Sequence, residues 1–151
     1  MAARIVLGWR EWVALPGLGV AALRAKIDSG ARSSSLHVDA QWQFSDAGTP
    51  WVGFRFSPGA VGAGTVECQA PIHDIRDVTD SGGHRTQRLF VRTGLRLAGV
   101  EREIEINLTD RRGMRFPMLL GRTAMARVFT VDPARSFLHG KAAPIPDTPS
   151  P

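Results

Sequence analysis

Several scarcities limit what this chain of 151 residues can be. Cys68 is its only cysteine, so no disulfide can form within the chain, which fits a reducing compartment. No apolar run approaches the roughly 20 residues that a membrane-spanning helix requires, and the apolar run at the N-terminus is too short for a secretory signal. We therefore expect a cytoplasmic protein with no membrane partner.

Lysine is also scarce, because Lys26 and Lys141 are the only two and arginine supplies the rest of the positive charge. The formal net charge is +5 and the sequence pI is about 10.9. The arginines are spread along the chain, and the aromatic residues do not alternate with them as a nucleotide-stacking surface would need. The pattern favours a generally arginine-rich surface over a specific nucleic-acid site, and it hints at an acidic peptide or protein substrate.

Turn-forming residues divide the chain into short segments with the alternating pattern of β-strands. Val52, Phe54 and Phe56 are predicted to share one face of a strand, and "LHVDAQWQF" (36–44) is predicted as a single strand. In "EREIEINLT" the alternation separates an inner from an outer set: Ile104, Ile106 and Leu108 against Glu103, Glu105 and Asn107.

Only the segment near 122–127 suggests a helix, so the chain is predicted to be mostly β, as a small barrel or sandwich. Its length suits one domain, which we place at residues 1–140. The segment 141–151 is rich in proline and has little to bury, which predicts a disordered tail.

The stretch "KIDSGARSSSLH" (26–37) places an acid at the end of a predicted strand, followed at once by small residues. Gly30 permits a positive φ and a close backbone approach, Ser29 supplies a hydroxyl, and Ala31 leaves room beside the Asp28 carboxylate. Two interpretations are open. The carboxylate is held rigidly toward a substrate, or it only caps its own loop as an Asx-turn.

A second stretch, "FPMLLGRTAM" (116–125), bears on that choice. Together the two stretches resemble the aspartic peptidases, in which Asp-Thr/Ser-Gly-Ala forms the active-site turn and a later hydrophobic-hydrophobic-Gly segment lies against it. The resemblance makes Asp28 the catalytic residue and assigns support of the active-site loop to Ser29, Gly30, Ala31, Leu119, Leu120, Gly121 and Arg122. It also implies a small closed acid-protease barrel of the retropepsin type.

Together with "LGWREWVALPGLGVAALRA" and "VRTGLRLAGVEREIEINLTDR", these stretches resemble a bacterial retropepsin-like family whose members are usually named ATP-dependent zinc proteases. Such peptidases need two carboxylates that share one proton. This chain has one such motif, so the resemblance implies a homodimer with one Asp28 from each subunit. The resemblance also implies that Arg122 makes structural contacts and contacts across the dimer interface.

A second "DSG" occurs at 80–82 in a different context. We interpret "DSGG" as a hairpin tip, and assign Ser81, Gly82 and Gly83 to a flap that closes over substrate. A second catalytic acid at Asp80 within the same chain is the less favoured alternative, because no apolar strand is predicted before it.

The zinc and ATP in the family name find little support in the residues. The possible zinc ligands follow no recognised spacing: His37, His73, His84, His139 and Cys68. Neither a phosphate-binding P-loop nor a dinucleotide fingerprint is present. We therefore expect no cofactor and no metal, and a zinc-dependent peptidase remains an alternative.

The remaining candidate site residues can be explained by structural roles as well as by functional ones. Arg32 either steers a substrate carboxylate or pairs with a nearby acid, and Cys68 is expected to be a small core residue. The tryptophans are expected in the core or a dimer interface: Trp9, Trp12, Trp42 and Trp51. A binding or scaffolding module with the same fold and no peptidase activity stays open as well.

Overall fold

The computed structural model describes residues 3–59, 64–80, 82–110 and 115–141. Its regular elements are twelve strands, a short 3-10 turn at Pro16–Leu18 and one helix within those ranges. In chain order they are β1 (Ile5–Gly8), β2 (Arg10–Leu15), β3 (Val20–Asp28), β4 (Ser34–Val38), β5 (Ala40–Asp46), β6 (Thr49–Phe56), β7 (Val66–Pro71), β8 (Asp74–Thr79), β9 (Arg85–Leu97), β10 (Val100–Asp110), β11 (Met118–Gly121), α1 (Arg122–Met125) and β12 (Phe129–Asp132).

Six strands close into a barrel in the order β10-β4-β11-β3-β2-β9, because β9 pairs with β10 as well as with β2. Closure leaves these strands without free edges. Strand β8 continues the sheet beyond β9 and forms a hairpin with it. The predictions of a mostly-β chain and of a small closed barrel are confirmed.

Strand β11 lies between β3 and β4, and this arrangement positions the site. It runs parallel to β3, where Leu120 pairs with Ile27 and Gly121 with Asp28. It runs antiparallel to β4, where Met118 pairs with Leu36. The two sequence stretches singled out above are therefore neighbouring strands of one sheet.

Two smaller sheets flank the barrel. Strands β5, β6 and β7 form an antiparallel three-stranded sheet, and β1 pairs with β12 in parallel.

The segment after β12 is bound to the start of β2 through Glu11, which is fully buried. Its Oε2 accepts the N–H groups of Gly8 and Leu138, at 2.6 and 3.2 Å, so this acid is a structural clamp.

The alternation predicted for the core strands is confirmed, with one exception. Val52, Phe54 and Phe56 are fully buried, and so is the predicted inner face of β10. Asn107, assigned to the outer face, is also fully buried. Its amide group is satisfied by hydrogen bonds described below, and this is why a polar residue is tolerated there.

Other details of the sequence prediction are wrong. The segment 36–44 is two strands in different sheets, because the chain leaves the barrel between Val38 and Ala40. The short helix predicted near 122–127 is confirmed, at Arg122–Met125. A strand, β8, does precede Asp80; its alternation is half-exposed rather than apolar, which concealed it. The predicted tail lies outside the described residues from 142 onward.

Candidate active site

Asp28 ends β3 and is half-buried, while Ser29 and Gly30 are exposed. The Asp28 Oδ1 accepts the Gly30 N–H at 3.0 Å, and the Asp28 carbonyl accepts the Ala31 N–H at 3.2 Å. The carboxylate is thus oriented by an Asx-turn. Gly30 does not use a positive φ, but a Cβ there would stand 3.2 Å from the Asp28 Oδ1, so a side chain would crowd the carboxylate.

Gly121 supports this turn from the neighbouring strand. A Cβ at Gly121 would lie 2.5 Å from the Ser33 carbonyl oxygen and 2.9 Å from the Ala31 carbonyl oxygen, closer than real side chains approach. The buried Leu120 beside it packs into the core, whereas Leu119 is half-buried. Only glycine allows the loop and β11 to come this close.

Arg122 and Thr123 continue the contact with the loop. The Arg122 N–H donates to the Ala31 carbonyl at 2.8 Å, and its guanidinium donates to the Gly30 carbonyl at 3.2 Å. Thr123 donates its hydroxyl, at 2.8 Å, and its N–H, at 3.2 Å, to the Arg32 carbonyl. Three successive carbonyls of the loop are therefore held by the start of α1.

Sequence reasoning missed Thr123 and also Ser34, whose buried hydroxyl accepts the Gly121 N–H at 3.0 Å. The signal for Ser34 was present in the run of serines at 33–35, which directly follows the motif. The alternation of β4 alone could not show which hydroxyl faces β11.

The "DSGG" segment is the tip of the β8–β9 hairpin, since Thr79 pairs with Arg85. The Asp80 Oδ1 accepts the N–H groups of Gly82 and His84, both at 2.9 Å. These bonds, the His84 N–H first, lower the pKa of the Asp80 carboxyl. Gly83 has a φ of +83°, which the tight turn requires. Asp80 therefore caps the hairpin, and Ser81 lies outside the described residues.

A cavity of about 520 Å³ opens between the loop after Asp28 and the hairpin. The loop contributes Arg32 and Ser33, and α1 contributes Thr123 and Ala124. The opposite wall comes from β8, β9 and β10: Arg76, Asp77, Val78, Phe90, Arg92, Glu103, Ile104 and Glu105. The hairpin strands thus line a cleft beside the loop that follows Asp28, whereas Asp28 and the tip residues Gly82 and Gly83 are not part of its lining.

Two arginines of the cleft already have acidic partners. Arg76 binds Asp74 at 2.6 Å and Glu105 at 2.8 Å, and it lies over the Phe90 ring. The hydrogen bonds from Arg76 are the main reason that the pKa of the Glu105 carboxyl is lowered and that the pKa of Arg76 itself is raised. Arg92 lies 3.0 Å from Glu103.

Arg32 differs from both. Its side chain is exposed at the rim of the cleft and makes no ion pair or hydrogen bond with any residue that the structure describes. Of the two roles expected for Arg32, pairing with a nearby acid is not what the described residues provide.

The possible zinc ligands are dispersed. His37 Nδ1 donates to the Phe116 carbonyl at 2.8 Å, His73 lies 3.1 Å from Glu105, and His139 is 2.7 Å from the Val6 carbonyl. His84 is at the hairpin tip, and the Cys68 thiol is 3.5 Å from the Leu18 carbonyl oxygen. Within the described ranges no three His, Cys, Asp or Glu residues gather around one point.

Cys68 and the tryptophans have packing roles. Cys68 is half-buried against the core, and burial raises the pKa of its thiol. The ring of Trp42 covers Gly53, leaving no space for a Cβ there. Trp9 makes an edge contact with Phe116, and Trp12 packs beside Phe137. None of these residues lines the cleft.

The closed barrel, with an aspartate turn held against a parallel strand and a hairpin over the adjacent cleft, is a retropepsin-like fold. The family model described as retropepsin-like aspartic endopeptidase RimB matches residues 6–142, and the chain belongs to this RimB-like family. A crystal structure of a Legionella pneumophila protein of unknown function (DUF785) has a TM-score of 0.76 and 27% identity, covering 91% of this chain and 99% of that one.

Curated relatives carry a different name. A probable alpha-L-glutamate ligase from Shewanella pealeana is 37% identical over 139 residues, or 91% of this chain. Another from Desulfotalea psychrophila is 39% identical over 142 residues, or 93% of this chain. The chain spans only 30% and 31% of these relatives, so a segment similar to it forms part of longer proteins.

No helix in the described residues is long and apolar enough to cross a membrane.

Proposed function

We propose that this chain is an aspartic endopeptidase that works as a homodimer, with Asp28 of each subunit forming the catalytic pair. The observation that carries the proposal is the Asp28 turn, a half-buried carboxylate fixed by Gly30 and supported from behind by Gly121. No second carboxylate among the described residues is hydrogen-bonded to Asp28, and Asp80 is engaged in its own hairpin. The proposal therefore takes the second acid from a second chain.

In this pair the two carboxyl groups share one proton, because two like charges at close range cannot both be ionised cheaply. The ionised carboxylate takes a proton from a water molecule, whose oxygen attacks the peptide carbonyl carbon. The protonated carboxyl gives its proton to the carbonyl oxygen. The tetrahedral diol then collapses, the C–N bond breaks, and the amine leaves with a proton returned by the pair.

The dimer would be isologous, with the two Asp28 loops facing across a two-fold axis. The exposed position of Ser29 supports this arrangement, since its hydroxyl is available to a partner loop. The β8–β9 hairpin would cover the substrate, with Gly82 and Gly83 at its tip.

We propose glutamate-rich peptides as the substrate class. Two observations support it. Arg32 at the rim of the cleft has no ion-pair partner among the described residues, and the chain is similar to a segment of probable alpha-L-glutamate ligases. A peptidase that cleaves between α-linked glutamates would act on the kind of bond that such a ligase is named for. A guanidinium binds a carboxylate by charge-assisted hydrogen bonds, and this gives a local reason for the preference.

One observation favours a second candidate, a binding module of the same fold. The Asp28 Oδ1 is satisfied within its own turn, so the motif also has a purely structural use. The zinc-dependent alternative stays a prediction with no candidate ligand set in the described ranges.

The test is hydrolysis of a short oligoglutamate peptide by the wild-type chain and by Asp28→Asn. The asparagine amide oxygen can still accept the Gly30 N–H, so the turn and the dimer should persist while turnover is lost. Pepstatin should inhibit the wild type, and a chelator should have no effect. Unchanged turnover in the variant would refute the proposal, whereas loss in chelator with recovery in zinc would favour the metallopeptidase.

A further inference from the structure

Asn107 is a fully buried polar residue in the barrel wall. It stands on β10, opposite Phe90 of β9 on one side and Ser35 of β4 on the other. A buried amide is retained only where its hydrogen bonds are made. The partners of Asn107 come from β4, which directly follows the loop that lines the cleft, and from β9, which lines the cleft itself.

The partners connect the hairpin to the aspartate turn. The Asn107 Oδ1 accepts the Ser35 hydroxyl at 2.9 Å and the Arg88 guanidinium at 3.1 Å. Its Nδ2 donates to the Ser34 carbonyl at 3.0 Å. The hydroxyl of Ser34 in turn accepts the N–H of Gly121. Two sets of hydrogen bonds, joined through the covalent structure of Ser34, therefore connect β9 of the hairpin to the glycine beside Asp28.

Arg88 gives these hydrogen bonds a role beyond satisfying the polar atoms of Asn107. It is half-buried on the hairpin strand, and its neutral contacts are the Thr86 hydroxyl and Asn107. Burial lowers its pKa, with Asp80 at the hairpin tip opposing that shift, and a guanidinium nevertheless stays charged. A half-buried charge loses part of its hydration, so its hydrogen bonds to the Thr86 hydroxyl and the Asn107 amide favour one position of the strand.

We infer that Asn107 is a positioning residue that fixes β4 and the Asp28 turn relative to the hairpin. The inference rests on the proposed function, since it assigns how that site is kept in its working geometry. Asn107 is not itself catalytic, because its contacts are to Ser34, Ser35 and Arg88 rather than to Asp28.

Two variants separate the donor from the acceptor. Asn107→Asp keeps the oxygen that accepts from Ser35 and Arg88, but an ionised carboxylate cannot donate to the Ser34 carbonyl, whereas the protonated acid can. Asn107→Leu has a similar size and makes neither bond. Both should lower kcat by about tenfold to a hundredfold with a much smaller change in KM, because misplacement of a reacting group reduces the chemical step.

The pH profile distinguishes positioning from packing. The new acid in N107D would be buried, which favours its protonated form, and would face the Arg88 guanidinium, which favours its ionised form. Once pH falls far enough to protonate it, the ratio of wild-type to N107D activity should shrink, and the ratio for N107L should not. Thr93→Val is the matched control, because the Thr93 hydroxyl is buried on β9 with no partner in the described structure. It should leave kcat unchanged. Ser35→Ala, a milder change, should give a smaller loss of kcat if the Asn107 variants fold poorly.

Amide hydrogen exchange of residues 28–35 decides the inference independently of activity. Faster exchange there in N107L, and not in the Thr93 control, supports it even if no peptide is cleaved. A wild type without turnover would count against the proposed function alone. Wild-type kcat in N107D, N107L and Ser35→Ala, or unchanged exchange of this segment in N107L, would overturn the positioning role.

Discussion

Asp28 and Gly121 lie directly opposite each other at the ends of two parallel strands, although most of the barrel separates them in the sequence. The acid ends β3 and the glycine ends β11, so the turn after the one rests on the backbone of the other. The space beside Gly121 is filled by the carbonyls of Ala31 and Ser33. The geometry of the carboxylate is therefore set by a contact that neither strand makes alone.

Gly121→Ala should disrupt this contact. The added Cβ cannot be accommodated without moving the loop, so we expect the free energy of unfolding to fall by about 1–3 kcal/mol and peptidase activity to be lost. Urea denaturation and the oligoglutamate assay measure the two effects. Gly94→Ala is the control, because a Cβ there meets nothing within 4 Å; equal losses in both variants would contradict the account.

Ser34→Ala should remove the acceptor for the Gly121 N–H. A buried donor left without a partner costs about 1–3 kcal/mol, and the turn should lose part of its support. Ser57→Ala removes an exposed hydrogen bond to Asp39 and should change the free energy of unfolding much less. Equal stability of the Ser34 variant and the wild type would show that the hydroxyl is not needed.

Arg32→Gln should weaken binding of acidic peptides. A hydrogen bond to a charged group contributes about 1.5–3 kcal/mol, so KM for an oligoglutamate peptide should rise by about tenfold or more with little change for a matched neutral peptide. Arg135→Gln removes the same charge from a position that does not line the cleft. If both variants raise KM equally, net charge rather than Arg32 provides the preference.

The fold should lose the stability that ionised Glu105 contributes as the pH becomes acidic. The hydrogen bonds from Arg76 lower its pKa below the ordinary value of 4.5 in the folded chain. As pH falls below that value, the unfolded chain takes up the proton first, and the stability that Glu105 contributes is lost. Urea midpoints at decreasing pH should therefore converge between the wild type and Glu105→Gln, whereas a constant difference would show that this ion pair does not titrate.

Much of the fold and the central motif could be predicted from the chain. The regular alternation at 52–56 and 104–108 is readable because each strand has one buried face. The Asp28 turn is recognisable because small residues directly follow the acid. β8 was missed because Ile75 and Val78 do not form an apolar face. The break at Asp39 was missed because alternation continues through it while the chain changes sheets.

The hydrogen bonds that Asn107 makes with β4 and Arg88 could not be predicted from the sequence, for a different reason. Asn107 has the strand position of an outward residue, and only the approach of β4 and Arg88 makes its burial favourable. Such contacts depend on the register between strands distant in sequence, which alternation within one strand does not specify.

The shared catalytic pair is tested most directly by mixing subunits. Wild-type and D28N chains are refolded together in varying ratios, and hydrolysis of oligoglutamate is measured at constant total protein. A site that needs one Asp28 from each subunit predicts activity proportional to the square of the wild-type fraction, so an equal mixture should retain about one quarter. Activity that falls only in proportion to the wild-type fraction would mean that each chain works with its own site, contrary to this account.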